Sequence, residues 1–321
     1  MAKSMSVFVF AILVACNGAS LLASNPPVIS RLAEAGPQRS WMTSQKRSQA
    51  LLYISSPYAS TVTVYEYPQL KEVGELAPLD NPDGMCTDAD ANLWVTLNGA
   101  ASLTEFSHGG TKAIATLADP GYYPVQCSVN LTTGALAVAN WAATGSHFAA
   151  GSISIYAGAR GSPKDYESPA SMYFVEGCTF DSQGNLYVAG RTYSGSFVFG
   201  ELPKGSSQFI AVPVSGAHVN SPGAVRWAGK YVVLIDQSYR SSPQESALYQ
   251  IKVTPSGGQI VGKTVLQNSG GVYGFTIDRD VAVAPDGLST VQFYNYPAGG
   301  DPISGKTLNG LGGPTGSAVS K

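Results

Sequence analysis

The residues of this chain best suited to chemistry are three histidines, at 108, 147 and 218, and four cysteines, at 16, 86, 127 and 178. None of the histidines has a nucleophile elbow beside it or a metal-ligand partner at useful spacing, so no catalytic triad is read here. His108 follows a strand pattern and reads as a turn residue. No Cys-x-x-Cys pair occurs, and Gly299-Gly300 and Gly312-Gly313 lack the Lys-Ser/Thr of a phosphate cradle. Charged residues are 12% of the chain and the formal net charge is −2, which leaves no electrostatic footprint for nucleic acid. Aromatic rings are plentiful, with 17 Tyr and 4 Trp, and rings give contact area at low entropic cost.

The elements that position these rings repeat. Pro82-Asp83-Gly84-Met85-Cys86-Thr87-Asp88-Ala89-Asp90-Ala91-Asn92-Leu93-Trp94-Val95 reads as strand, tight turn, strand. Its start recurs as Pro124-Val125-Gln126, Val175-Glu176-Gly177, Ser221-Pro222-Gly223, Val272-Tyr273-Gly274 and Pro314-Thr315-Gly316, at intervals of 42 to 51 residues. Asp88 to Val95 and Asp181 to Val188 share the form Asp-x-x-x-Asn-Leu-aromatic-Val. A third strand also recurs, as in Val64-Tyr65-Glu66-Tyr67-Pro68 and Phe293-Tyr294-Asn295-Tyr296-Pro297. Units of this length, unable to bury their apolar faces alone, predict an all-β, six-bladed β-propeller with four-stranded blades over 48–321.

The ends fix the count. Leu51-Leu52-Tyr53-Ile54 matches a second strand with no first strand before it, and Gly316-Ser317-Ala318-Val319 matches a first strand with nothing after it. The C-terminal strand is therefore expected to complete blade one and close the ring without an open edge.

In such a ring the connections before strand one and after strand two share a face. Two of the latter are long, 140–148 and 236–243, and are expected to rim the channel mouth. Trp141, Tyr239, Tyr122, Tyr123, Tyr173, Arg191, Tyr193, His218 and Tyr273 belong to this rim, with Asp83 and Glu176 among the equivalent inner-strand positions. Rings set among Asn, Ser and Arg suit sugar or peptide recognition. The competing expectation is that about half of these rings pack between blades.

Pro82-Asp83-Gly84-Met85-Cys86 with Asn92-Leu93-Trp94-Val95 resembles the corresponding segment of the senescence marker protein/gluconolactonase/regucalcin family. The wider repeat resembles NHL-repeat propellers. The lactonase resemblance implies a divalent metal, Ca or Zn, in the central channel, with one ligand carried over onto Asp83. Glu176 keeps the chemistry of a second ligand in a different blade. The remaining equivalent positions, Val125, Pro222, Tyr273 and Thr315, carry no carboxylate, and hard cations usually take six or more oxygens. The leading reading is thus a non-enzymatic propeller without a cofactor, monomeric, that binds a carbohydrate, peptide or protein. A degenerate metal-dependent lactonase-like hydrolase is the alternative, and a purely structural spacer a third.

Residues 1–16 carry a short positive region and nine apolar residues, too few to span a bilayer, which needs about 20. Leu13-Val14-Ala15-Cys16 resembles a bacterial lipobox, which implies lipidation at Cys16. A plain signal peptide cut near Ala19 or Ala23 is the other option. Residues 17–47, with Asn25-Pro26-Pro27 and Gly36-Pro37, read as a flexible tether. The expected location is periplasmic or cell-surface, with membrane contact only through a lipid anchor. Cys86, Cys127 and Cys178 fall at similar places in successive repeats and read as buried thiols, with a Cys127–Cys178 bridge as the other possibility.

Overall fold

Six sheets, antiparallel but for one short edge strand and each seeded by one copy of the sequence repeat, succeed one another around a central channel. The structure is a computed structural model that describes residues 39–43, 49–144, 149–169, 172–237 and 245–321, all within one unit, Pro37–Lys321. Cys16, the signal segment and most of the tether lie outside the described residues, as do His147 and Tyr239.

The innermost strands are Gly316–Ser320, Pro82–Thr87, Tyr122–Val129, Phe174–Phe180, Pro222–Trp227 and Thr276–Asp278, for blades one to six in turn. Closure is as the sequence implies. Gly316–Ser320 pairs antiparallel with Leu51–Ser56, setting Tyr53 opposite Ala318 and Ser55 opposite Gly316. Two blades exceed the expected four strands. Trp41–Met42, inside the stretch read as a tether, adds an edge strand to blade one, and Val214–Ser215 pairs parallel with the outer strand of blade five.

Local chemistry explains the hairpins. Asp88 Oδ1 accepts from the backbone N–H groups of Asp90 and Asn92, and Asp181 does the same for Gln183 and Asn185. A carboxylate that caps its own turn in this way lets Ala91 adopt φ 65°. The glycine that recurs at five of the six inner-strand starts has a steric cause. A Cβ on Gly84 would strike the Val125 carbonyl, one on Gly274 that of Thr315, and one on Gly316 that of Asp83. Each glycine lets the neighbouring blade's backbone come close to the axis.

Burial follows the same plan, since the apolar clusters lie at the seams between blades. Tyr53, Val62 and Val64 of blade one pack with Met85, Leu93 and Val95 of blade two. Leu52 and Ile54 on the opposite face of blade one pack with Val283 and Phe293 of blade six. Each such side chain contributes roughly 1.5 to 3 kcal/mol by leaving water, so no blade is stable without its neighbours.

The cysteine reading is corrected. Cys86 and Cys127 form a disulfide across the seam of blades two and three, with Cα atoms 5.6 Å apart, and Cys178 is free and buried. A Cys127–Cys178 bridge is not formed because Cys127 packs with Cys86 in the apolar cluster of blades two and three, whereas Cys178 lies in that of blades three and four, beside Gln126. Its Oε1 accepts from Cys178 N–H at 2.8 Å, and its Nε2 donates to the Val225 carbonyl at 2.9 Å. His108, expected to be a turn residue only, also braces the closing seam, with Nδ1 on Ser320 Oγ and Nε2 on the Gln49 carbonyl.

Candidate functional site

Bulges aim the two channel carboxylates. In blade two the pairing jumps between Pro82 and Met85, and in blade four between Val175 and Gly177, so Asp83 and Glu176 both occupy extra residues in the ladder. A bulge re-aims the side chain it carries, here toward the channel mouth. The two sense each other electrostatically. Burial pushes the Asp83 carboxyl up to about 7, a Thr315 hydrogen bond opposes that rise, and the Glu176 charge adds to it.

Glu176 is held more firmly. Burial again raises its carboxyl, while Arg191 and a hydrogen bond from Trp141 pull it back. Arg191 Nε stands 2.8 Å from Glu176 Oε1, with 32% of the Arg191 side chain exposed against 14% for Glu176. Strand register makes this pairing natural, because Arg191 ends the second strand of blade four directly opposite Phe174.

An aromatic wall surrounds the pair. The Arg191 guanidinium lies 4.4 Å over the Phe174 ring, and Trp141 of blade three stacks on the same ring at 4.8 Å and 24°. Tyr173 meets Phe174 edge-on at 5.0 Å and Tyr193 at 5.2 Å. Tyr193 is 61% exposed, so the wall ends in solvent. Trp141, Tyr173, Arg191, Tyr193 and Glu176, drawn from two adjacent blades, therefore form one continuous surface, with Asp83 electrostatically coupled to it.

Other expected rim residues stand apart. Tyr122 is half-buried where its strand pairs with Ala143, and Tyr273 lays its ring near Gly287 in blade six. His218 is exposed and accepts from Tyr249 Oη only through its carbonyl. Sequence reasoning missed Phe174, the ring on which Trp141 and Arg191 both rest. Its signal was available, in an aromatic pair, Tyr173-Phe174, at the start of an inner strand.

The donor set does not fit the divalent metal that the lactonase resemblance implies. Of the six equivalent inner-strand starts only those of Asp83 and Glu176 carry a carboxylate, and Glu176 already carries a guanidinium, whose charge repels a cation. Among the described residues no group of three or more His, Cys, Asp or Glu could hold a metal ion.

No protein-family model and no curated protein matches the chain. Solved structures do match in shape. A chain of the nidogen/laminin complex superposes with a TM-score of 0.65 at 10% identity, covering 85% of this chain and 98% of that one. A putative 6-phosphogluconolactonase from Bacteroides fragilis gives 0.55 at 12% identity, covering 87% and 100%. At these identities the likeness is one of fold alone, a β-propeller shared with a chain of a protein complex and with a chain described as a putative lactonase.

Proposed function

We propose that this chain is an exported, non-enzymatic propeller that binds a carbohydrate on the channel face of blades three and four. One observation carries the reading: the Trp141, Phe174, Tyr173 and Tyr193 rings run without a break around the Glu176–Arg191 pair. Ring faces suit the C–H surface of a sugar, and a carboxylate and guanidinium fixed at 2.8 Å present an acceptor and donors to adjacent hydroxyls. Export is supported by the N-terminal apolar run and by the Cys86–Cys127 disulfide, since such bonds persist in oxidising compartments. Lipidation at Cys16 is part of this proposal, and the mass of the mature N-terminus tests it.

A glycan array probed with the full chain and with Trp141→Ala and Tyr193→Ala is the direct experiment. Glycan retention that drops about tenfold or more in both variants is expected. Retention unchanged in the variants, or confined to a parallel peptide array, overturns the carbohydrate reading.

The second reading, a lactonase-like hydrolase, is favoured only by the Asp83 carboxyl, raised to about 7 and thus able to exchange a proton near neutrality. Metal analysis and lactone hydrolysis by the chain and by Asp83→Ala decide it. Stoichiometric Ca or Zn, lost together with turnover in the variant, would replace the binding assignment with an enzymatic one.

A further inference from the structure

The far end of the channel holds a second, separate feature. A cavity of ≈ 660 Å³ opens there, lined by the last residues of all six inner strands and their turns. Such a volume falls in the range of small-molecule sites. At its inner limit lies Arg226 of blade five, whose side chain crosses the axis. Nε donates to the Phe275 carbonyl at 3.2 Å, Nη1 to that of Cys127 at 3.4 Å and Nη2 to that of Met85 at 3.0 Å.

These three bonds fix the guanidinium but do not neutralise it. Arg226 has no ion-pair partner among the described residues, and a guanidinium has five N–H groups, so one on each Nη is left over. Burial accordingly lowers Arg226 to about 10. A half-buried cation lacking a counter-charge among the described residues carries a desolvation cost, and a ligand that supplies the charge recovers part of it. The carboxylates on the lining do not supply it. Asp88 and Asp181 are occupied by their own turns, and Asp278 pairs with Lys321.

We propose that this cavity binds a small oxyanion, a carboxylate or phosphate group, on the Nη hydrogens that Arg226 leaves unbonded. The planar fork matches two oxygens of such a group, and the surrounding carbonyls hold it in place before the ligand arrives. The turn carboxylates Asp88 and Asp181 sit at the outer lining, so a singly charged anion enters with less repulsion than a doubly charged one.

The test is calorimetric titration of the full chain with acetate and with inorganic phosphate at constant ionic strength, against chloride. Saturable binding of acetate or phosphate, weakened about tenfold or more by Arg226→Gln and partly kept by Arg226→Lys, is expected. Arg226→Gln removes three fold-spanning bonds, so Ser182→Glu, at the exposed lining turn, serves as the second variant. It should weaken the anion severalfold, more at low salt than at high salt. Absence of saturable binding, or binding that both variants leave unchanged, overturns the proposal.

Discussion

Arg191 and Glu176 stand 2.8 Å apart across one hairpin of blade four, and the guanidinium that neutralises the acid also lies on the Phe174 ring. One side chain thus ties the charge of the mouth to its aromatic wall. Arg191→Met should leave Glu176 buried without its partner, raise that carboxyl further, and free Phe174 and Trp141 to shift. With Arg191 about one-third exposed, the stability loss should be modest, about 1 to 2 kcal/mol. Ligand retention should fall far more than the unfolding midpoint does. Equal losses in both would make the pair structural only.

Asp119 offers a pH signature. Ser154 Oγ lies 2.8 Å from both Asp119 Oδ1 and Asp165 Oδ1, yet one hydroxyl proton serves only one of them, and Asp119 Oδ2 is buried without a partner. A protonated Asp119 satisfies this arrangement. Burial raises its carboxyl from the ordinary 3.8 to about 6, so between those values the folded state binds the extra proton and stability falls as pH rises. Asp119→Asn should remove that slope and add about 1 to 3 kcal/mol at pH 8. Urea midpoints at pH 4 and pH 8 check it, and a variant weaker at both excludes the protonated form.

Asp83 has the same sign over a wider window. Its carboxyl, raised from 3.8 to about 7, contributes stability that is lost as pH climbs through that interval. Asp83→Asn should therefore hold its melting temperature between pH 5 and 8 better than the parent. Identical pH profiles would place the titration elsewhere.

The disulfide predicts a clean chemical result. Peptide mapping without reductant should yield a fragment joining Cys86 to Cys127 and leave Cys178 alkylatable only after unfolding. Closing a loop of sequence separation 41 constrains the unfolded chain by about 4 kcal/mol in the chain-entropy treatment, so reduction should lower the unfolding midpoint markedly. A Cys127–Cys178 fragment would contradict the fold at the seam of blades two and three.

Closure of the ring rests on Ser55. Its hydroxyl donates to the Asp83 carbonyl at 2.6 Å and accepts from Gly316 N–H at 2.9 Å, joining the last strand to blades one and two. Ser55→Ala leaves two buried groups unpaired and should cost about 1 to 3 kcal/mol. Hydrogen exchange should quicken first along Gly316–Ser320; exchange that quickens evenly would place the weak point elsewhere.

The repeat was legible because its causes are local. Glycine at five of the six inner-strand starts answers to the neighbouring blade, and Asp88 and Asp181 cap turns within a few residues of themselves. The missing first strand before Leu51 and the surplus one at Gly316 sufficed to infer closure. Loop length singled out Trp141, residue type Arg191 and Tyr193, and the equivalence of inner-strand starts Glu176, and the structure brings these four side chains together. Their partners were not legible, because the Trp141–Phe174 stack joins two blades whose relative rotation no local pattern encodes.

The sequence alone therefore determined the number of blades and the order of strands, both consequences of short-range turn chemistry and of apolar surface that only a neighbouring blade can cover. The tertiary structure decided which cysteine bonds which, which seam each cysteine enters, and that Arg226 crosses the axis to three carbonyls of other blades. Those outcomes depend on the height and rotation of each strand about the channel, quantities set by packing summed over the whole ring rather than by any one stretch of chain.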